Sequence, residues 1–174
     1  GAIGWAAAEW LQHGKPTTLG VASGLVAGLV AITPAAGFVG PVSAVIMGLI
    51  VGPLCYFAVS KMKAKLGYDD SLDAFGIHGA GGIFGALATG VLANPAVNPA
   101  GTGLLYGNPH QLLVQLIAVV ATIIFASAVT FLILKGLSRL APLRVSDEEE
   151  ENGLDLTQHG EDAYGYGEMS TIAV

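Results

Sequence analysis

His78 is the titratable side chain that lies deepest within an apolar stretch of this sequence. An ionisable group at membrane depth is costly, and such a group usually faces a polar pathway or a partner. A neutral imidazole donates a hydrogen bond from one ring nitrogen and accepts one at the other. The ring therefore suits a small polar solute better than a cation. An equal alternative is a structural imidazole that only bonds one helix to another.

Three carboxylates, Asp69, Asp70 and Asp73, precede His78. Carboxylates at a helix N-terminus are favoured by the helix dipole and can accept hydrogen bonds from free N–H groups. We expect Asp69 and Asp73 to cap the His78 helix, and Asp70 could also tie down a neighbouring helix end. None of the three is assigned chemistry.

The sequence contains no pattern for a metal, a cofactor or a covalent nucleophile. Cys55 is the single cysteine, no two histidines have metal-ligand spacing, and no nucleophile–base motif or phosphate loop is present. An intramembrane enzyme would need a second polar group beside His78, and the apolar stretches offer only hydroxyls, with Gln111 and Gln115 at one edge. We therefore expect no metal, no cofactor and no enzyme.

Four long apolar stretches surround these residues, at 18–32, 40–59, 74–93 and 111–134. A helix needs about 20 apolar residues to cross the hydrocarbon core of a bilayer, with a range near 17 to 25. The last three stretches reach that length. The first is shorter, but Thr17 provides a helix start and Pro34 a stop. With the end of a further helix over residues 2–11, the sequence predicts an all-α membrane protein built as a multi-span helical bundle.

The charges predict an orientation. Only 11% of the residues are charged, against about 25% in a soluble domain. All seven Lys and Arg fall on one side of the predicted bundle, and the opposite loops, 33–39 and 94–110, contain none. The positive-inside rule makes the basic side cytoplasmic. We expect the protein in the plasma (inner) membrane. The charge pattern gives no footprint for nucleic acid.

The sequence predicts a membrane domain over residues 1–145 and an acidic cytoplasmic tail over residues 146–174. Nine of the 13 carboxylates lie at or after Asp147, and such a run usually marks a solvated segment. Leu154, Leu156 and Tyr164 make the tail too apolar for solvation alone. At the other end the chain begins at Gly1, inside an apolar run and without the features of a signal peptide. We interpret that start as a truncation or a processed boundary.

Small residues recur every fourth position in two of the spans, a spacing that lets helix backbones approach closely in lipid. They are Gly20, Gly24 and Gly28 in the first span and Gly82, Ala86 and Gly90 in the third.

Four ordered sequence blocks resemble the ammonium transporter family (Amt/Mep/Rh), on its Amt side. The most specific block is DDSLDAFGIHG at residues 69–79. The others are GKPT at 14–17 with GLVAITPAAG at 28–37, HQLLVQ at 110–115, and GLDLTQHGEDAY at 153–164.

The resemblance implies the C-terminal part, from the end of helix 7 to helix 11, of an eleven-helix inverted-repeat fold. It also implies a homotrimer with one apolar channel per subunit, in which two adjacent pore histidines assist the passage of ammonium or ammonia. His78 matches the second of these histidines. Ala74, one turn earlier, and Val26 in the first span are expected to line the same pore. The first pore histidine, the outer aromatic gate and the tryptophan of the recruitment site have no counterpart in this sequence.

In the family the tail docks on the cytoplasmic face and takes part in regulation, in many bacteria through a PII-type signalling protein. The tail residues that the resemblance marks are Gly153, Asp155, Thr157, His159, Gly160 and Tyr164. An ammonium sensor that signals through this tail is the alternative to a transporter. No signalling domain follows the tail in this sequence, which favours the transporter. The tail motif and the aspartate block disfavour an Rh-type protein for a gas or neutral amine.

Overall fold

The computed structural model describes residues 1–161, and every regular element within that range is helical. The α-helices are α1 (Ala2–His13), α2 (Thr18–Ile32), α3 (Pro41–Phe57), α4 (Lys63–Leu66), α5 (Ala80–Leu92), α6 (Pro109–Leu137) and α7 (Asp147–Asn152). Three π-helical segments, Ala58–Met62, Phe75–Gly79 and Asp155–His159, and two 3₁₀ turns, Thr33–Ala35 and Leu104–Tyr106, complete the set.

Four helical stretches are long and apolar enough to cross a membrane: Thr18–Ala35, Pro41–Leu66, Phe75–Leu92 and Pro109–Leu137. They overlap the four predicted spans. The second is continuous from α3 through the π segment into α4, and it ends at Gly67 in the left-handed conformation (φ 66°). α6 has no buried residue, and large apolar side chains such as Phe125 (71% exposed) cover its surface. An apolar surface of this length is suited to lipid or to other helices rather than to water.

The chain divides into two compact units, Gly1–Ile123 and Ile124–Val174, so the division falls inside α6. In the first unit α1, α2 and α3 pack against one another, and α5 packs against α2 and α3. Its main core cluster is built from small and medium-sized side chains around one tryptophan: Trp5, Ala27, Ala31, Val51, Cys55, Tyr56 and Ile77. Trp5 and Tyr56 meet edge to face with their ring centroids 5.6 Å apart.

A polar clamp joins α1 to α2. Thr17 caps α2 by accepting a hydrogen bond from the Gly20 N–H. The Glu9 carboxylate accepts hydrogen bonds from the Thr17 N–H (3.0 Å) and the Thr17 hydroxyl (2.9 Å). A negative charge beside a helix N-terminus is favourable, so Glu9 fixes the angle between the two helices. No sequence motif predicts this role for Glu9.

The helices approach most closely where one of them has glycine. A Cβ added to Gly24 would lie 2.6 Å from the Trp5 Cβ, closer than packed side chains allow. In α5 a Cβ at Gly85 would collide with the Ala31 carbonyl oxygen, whereas one at Gly82 would meet nothing closer than Val30 at 4.0 Å. The predicted close approach is therefore present at Gly24 but is wrong for Gly82.

Gly85→Ala should destabilise the protein, because the added methyl meets backbone that cannot rotate away. Overpacking of this kind costs about 1–3 kcal/mol. Gly82→Ala in the same helix is the matched control, and it should be neutral or stabilising by up to about 1 kcal/mol through helix propensity. The measurement is the thermal unfolding midpoint of the purified protein in detergent. Equal midpoints for the two variants would contradict the packing described here.

Candidate functional site

His78 lies in the π-helical segment Phe75–Gly79, which continues directly into α5. π-turns are rare and occur frequently at functional sites. The His78 side chain is exposed on the surface of the first unit, and so is Ala74 one turn earlier. By α-helical spacing Gly81, Gly82 and Gly85 should flank the His78 face, but Gly81 and Gly85 are buried, whereas Gly82 is partly exposed. The reason is that a π-turn closes i→i+5 bonds, so α-helical spacing misplaces the residues that follow it.

Val26 is the third predicted pore residue. It lies on α2, and its side chain is 37% exposed. α2 packs against both the π segment and α5, so Val26 belongs to the same unit as His78 and Ala74. All three side chains therefore lie on the surface of the first unit rather than in its core.

The aspartate that caps the His78 helix is Asp70, whereas Asp69 and Asp73 were the predicted caps. The Asp70 carboxylate accepts a hydrogen bond from the Gly76 N–H (Oδ2 to N, 3.1 Å). Asp73, expected as a cap, instead directs its carboxylate to Lys63, with Oδ1 2.7 Å from Nζ. Asp69 accepts a hydrogen bond from the Ser71 hydroxyl at 3.2 Å. The chain reverses direction between residues 70 and 73, which points the Asp73 side chain away from the helix start.

Lys63 is the residue at this site that sequence reasoning missed. Its Nζ donates to the Asp73 carboxylate and also, at 2.6 Å, to the Asp70 carbonyl oxygen. Lys63 was counted only among the basic residues that set the orientation. The sequence gives little indication of the Lys63–Asp73 pair, because ion pairs across a loop have no fixed sequence spacing.

The tail forms a locally hydrogen-bonded segment within the second unit. Ser146 and Glu149 form a capping box at the start of α7, and Glu149 also accepts a hydrogen bond from the Gln158 side chain at 2.9 Å. The hydrogen bonds from the Ser146 N–H and hydroxyl lower the pKa of the Glu149 carboxyl from its ordinary value. The charge run predicted a solvated segment, and these residues are indeed exposed, but they are also capped and ordered by their own side chains.

Four of the six predicted tail residues lie in one turn. Asp155, Thr157 and His159 belong to the π-helical segment, and Gly160 ends it with φ 66°. Gly153 precedes the segment with φ 91° and links it to α7. The Thr157 hydroxyl donates to the Gly153 carbonyl at 2.9 Å. Tyr164 lies outside the described residues.

The polar groups around His78 bind protein groups and do not form a metal site. Among residues 1–161 no group of three or more His, Cys, Asp or Glu could hold a metal ion. What the arrangement provides is an imidazole on an otherwise apolar helical face, with its helix held at the N-terminal end by carboxylates and a lysine. Such a group can exchange hydrogen bonds or a proton with a small solute.

Comparison with known proteins identifies relatives over nearly the whole chain. A family model described as Ammonium Transporter Family matches residues 1–164. An ammonium transporter of Bacillus subtilis (strain 168) is 53% identical over 165 residues, which cover 94% of this chain and 41% of the relative. The crystal structure of Candida albicans Mep2 has a TM-score of 0.78 at 34% identity, covering 86% of this chain and 34% of that chain. A structure titled Sensor Amt Protein has a TM-score of 0.77 at 29% identity, covering 89% and 38%. The chain spans about two fifths of the length of the curated relatives that it matches.

Asp70→Ala should weaken the start of the His78 helix, because the Gly76 N–H loses its acceptor. Losing a side-chain cap costs about 1 kcal/mol, which corresponds to roughly fivefold faster amide exchange at Gly76 where exchange occurs by local opening. Ser71→Ala is the control, since it removes a hydrogen bond within the preceding turn and leaves the acceptor of the Gly76 N–H in place. Hydrogen exchange read by mass spectrometry measures both. Protection at Gly76 that is unchanged in Asp70→Ala would contradict the capping role.

Proposed function

Since the chain belongs to the ammonium transporter family, we propose that the complete protein moves ammonium or ammonia across a membrane and that His78 lines its pore. The match of the family model over residues 1–164 carries this proposal. The four helices of spanning length make the chain part of an integral membrane protein. Relatives with the same segment are named as transporters rather than enzymes.

The exposure of His78 supports the pore assignment. A histidine retained on an apolar helical surface is costly in lipid, but it is useful where it faces a passage. Ala74 and Val26 are exposed on the same unit and are small and apolar. We propose that they form part of one pore wall, and that sequence outside this chain supplies the facing wall together with a second histidine.

In this pore the neutral imidazole would accept a hydrogen bond from the solute at one nitrogen and donate from the other. An apolar lining disfavours a bare ammonium ion. The solute would therefore pass His78 as ammonia, or as ammonia with its proton handed to the imidazole. Because only one of the two histidines is in this chain, the choice between these forms depends on both.

We further propose a plasma (inner) membrane protein with the tail on the cytoplasmic side, assembled as a homotrimer. All seven Lys and Arg lie on one side of the four spans, which supports that orientation. α6 has no buried residue, so it has apolar surface available for both lipid and neighbouring subunits. The ordered tail turn at 153–160 is a surface that a PII-type signalling protein could bind.

An ammonium sensor is the second candidate, and one observation favours it: the similarity to the structure titled Sensor Amt Protein. Under this alternative the pore residues would detect ammonium, and the tail would pass the signal to a partner. The two functions separate in reconstituted vesicles, since a transporter supports ammonium flux and a sensor need not.

His78→Ala in the complete natural polypeptide should lower ammonium flux or uncouple flux from current. The loss should be on the order of the 10²-fold that a positioned proton-transfer group contributes. Flux and current in proteoliposomes are the measurements. His110→Ala, at the first turn of α6, is the matched histidine control and should retain both. Wild-type flux and current in His78→Ala would remove the role proposed for this residue.

Thr157→Asp should lower flux if the tail turn regulates the pore. The hydroxyl of Thr157 donates to the Gly153 carbonyl, and a carboxylate there would repel that oxygen and the nearby acidic residues. Phosphorylation would add about two negative charges with the same effect. Thr157→Ser keeps the hydroxyl and should transport normally. If flux in Thr157→Asp equals that of the serine variant, the tail turn does not regulate transport through this residue.

A further inference from the structure

One face of the second span contacts the His78 segment at three successive levels. Cys55, Val59 and Lys63 follow one another at four-residue spacing along α3, the π segment and α4. The Cys55 thiol lies 3.7 Å from the Ile77 carbonyl oxygen. Each of the three residues contacts the His78 segment or the turn before it, so we call them the supporting strip.

The middle of the supporting strip fixes the distance between the two helices. A Cβ added to Gly76 would lie 2.7 Å from Val59 Cγ2 and 3.5 Å from its Cα. The two π segments, Ala58–Met62 and Phe75–Gly79, therefore contact each other at a glycine. Gly76 and Ile77 are both buried, while His78 is exposed. The supporting strip therefore packs against the buried side of the Phe75–Gly79 segment, and the imidazole is on its exposed side.

The end of the strip fixes where the His78 helix begins. Lys63 Nζ bonds both the Asp70 carbonyl (2.6 Å) and the Asp73 carboxylate (2.7 Å). Asp73 is the only non-glycine residue among those described with a positive φ, at 55°. Such a backbone costs free energy and persists where surrounding contacts hold it. The Asp73 carbonyl accepts the Ile77 N–H at 2.9 Å, so the conformation of Asp73 sets the first hydrogen bond of the turn that carries His78.

We infer that Lys63 is a positioning residue for His78: its ammonium fixes the Asp70–Asp73 turn and thereby the rotation of the π segment about its axis. The Lys63 and Asp73 side chains are 29% and 32% exposed, so their pair is partly shielded from solvent. Loss of the Lys63 cation frees the turn, and the imidazole moves relative to the pore wall. This inference rests on the proposed role of His78 in transport.

The test uses the complete natural polypeptide in lipid bilayers, with two readouts. The first is ammonium flux as a function of pH. The second is the ¹⁵N spectrum of the histidine side chains, in which the signal that disappears in His78→Ala identifies His78. The variants are Lys63→Met, which removes the cation, Lys63→Arg, which keeps it, and Lys65→Met, which removes a neighbouring exposed lysine.

We expect Lys63→Met to shift the His78 resonances, change the pH profile and lower flux by about tenfold to hundredfold, the range associated with a misplacement near 1 Å. Lys63→Arg should recover part of each change, and Lys65→Met should match the wild type. If the His78 resonances and the pH profile of Lys63→Met equal those of Lys65→Met, the inference is overturned. A loss of flux with unmoved His78 resonances would overturn it as well, because a general structural role predicts that result.

Two further outcomes are decided in the same experiment. If Lys63→Met does not fold, Asp73→Asn takes its place, because asparagine tolerates the positive φ and removes only the charge. Unmoved His78 resonances in that variant contradict the inference. If His78→Ala transports like the wild type, the proposed function of His78 fails, and the resonance shift in Lys63→Met still decides whether Lys63 positions the ring.

Discussion

Close approach of helix backbones is the constraint on which the first unit depends. In lipid, burying one apolar side chain against another gains little, because the surrounding lipid is equally apolar. Dispersion contacts therefore have to come from short distances, and short distances require glycine or alanine at the contact. The positions of Gly24 against Trp5 and of Gly85 against Ala31 meet this requirement. Each leaves no room for a larger residue, so the helices have one arrangement instead of several.

That tight packing has a consequence for the functional face. The interior of the unit is filled by small and medium-sized side chains with Trp5 and Tyr56, and His78 is not among them. His78 occupies the outer side of the π segment, with Gly76 and Ile77 beneath it. The residues before the imidazole in the segment are buried, and the imidazole itself is exposed. This arrangement agrees with the proposed place of His78 in a pore wall.

Polar contacts are concentrated at the ends of the helices, where backbone groups lack partners. Glu9 and Thr17 close the α1–α2 connection, and Asp70 caps the π segment ahead of α5. In the second unit, too, one carboxylate has several partners: Glu149 accepts hydrogen bonds from both Ser146 and Gln158. The basic residues lie on one side of the bundle, and Lys63 and Arg144 also form ion pairs. Lys63 serves both purposes, since it belongs to the basic side of the bundle and also joins two helices.

The sequence by itself determined the class of protein and the four apolar spans, and it singled out His78 as a candidate. Those conclusions need only hydropathy, charge asymmetry and local motifs, which are properties of neighbouring residues. The ordered blocks also identified the family, which the comparisons confirmed. In the tail the charge run predicted solvation, whereas the Ser146–Glu149 pair, which has the spacing of a capping box, also orders the segment.

Only the tertiary structure decided which residues hold the site. Counting by α-helical spacing placed Gly81, Gly82 and Gly85 beside His78, but Gly81 and Gly85 are buried behind the π-turn. Hydrophobic periodicity does not predict a π-turn, because it assumes α-helical spacing throughout. The pairing of Lys63 with Asp73 was also out of reach of the sequence, because the loop between them determines which carboxylate faces which helix. Local patterns specify elements, whereas the meeting of distant side chains depends on how those elements pack.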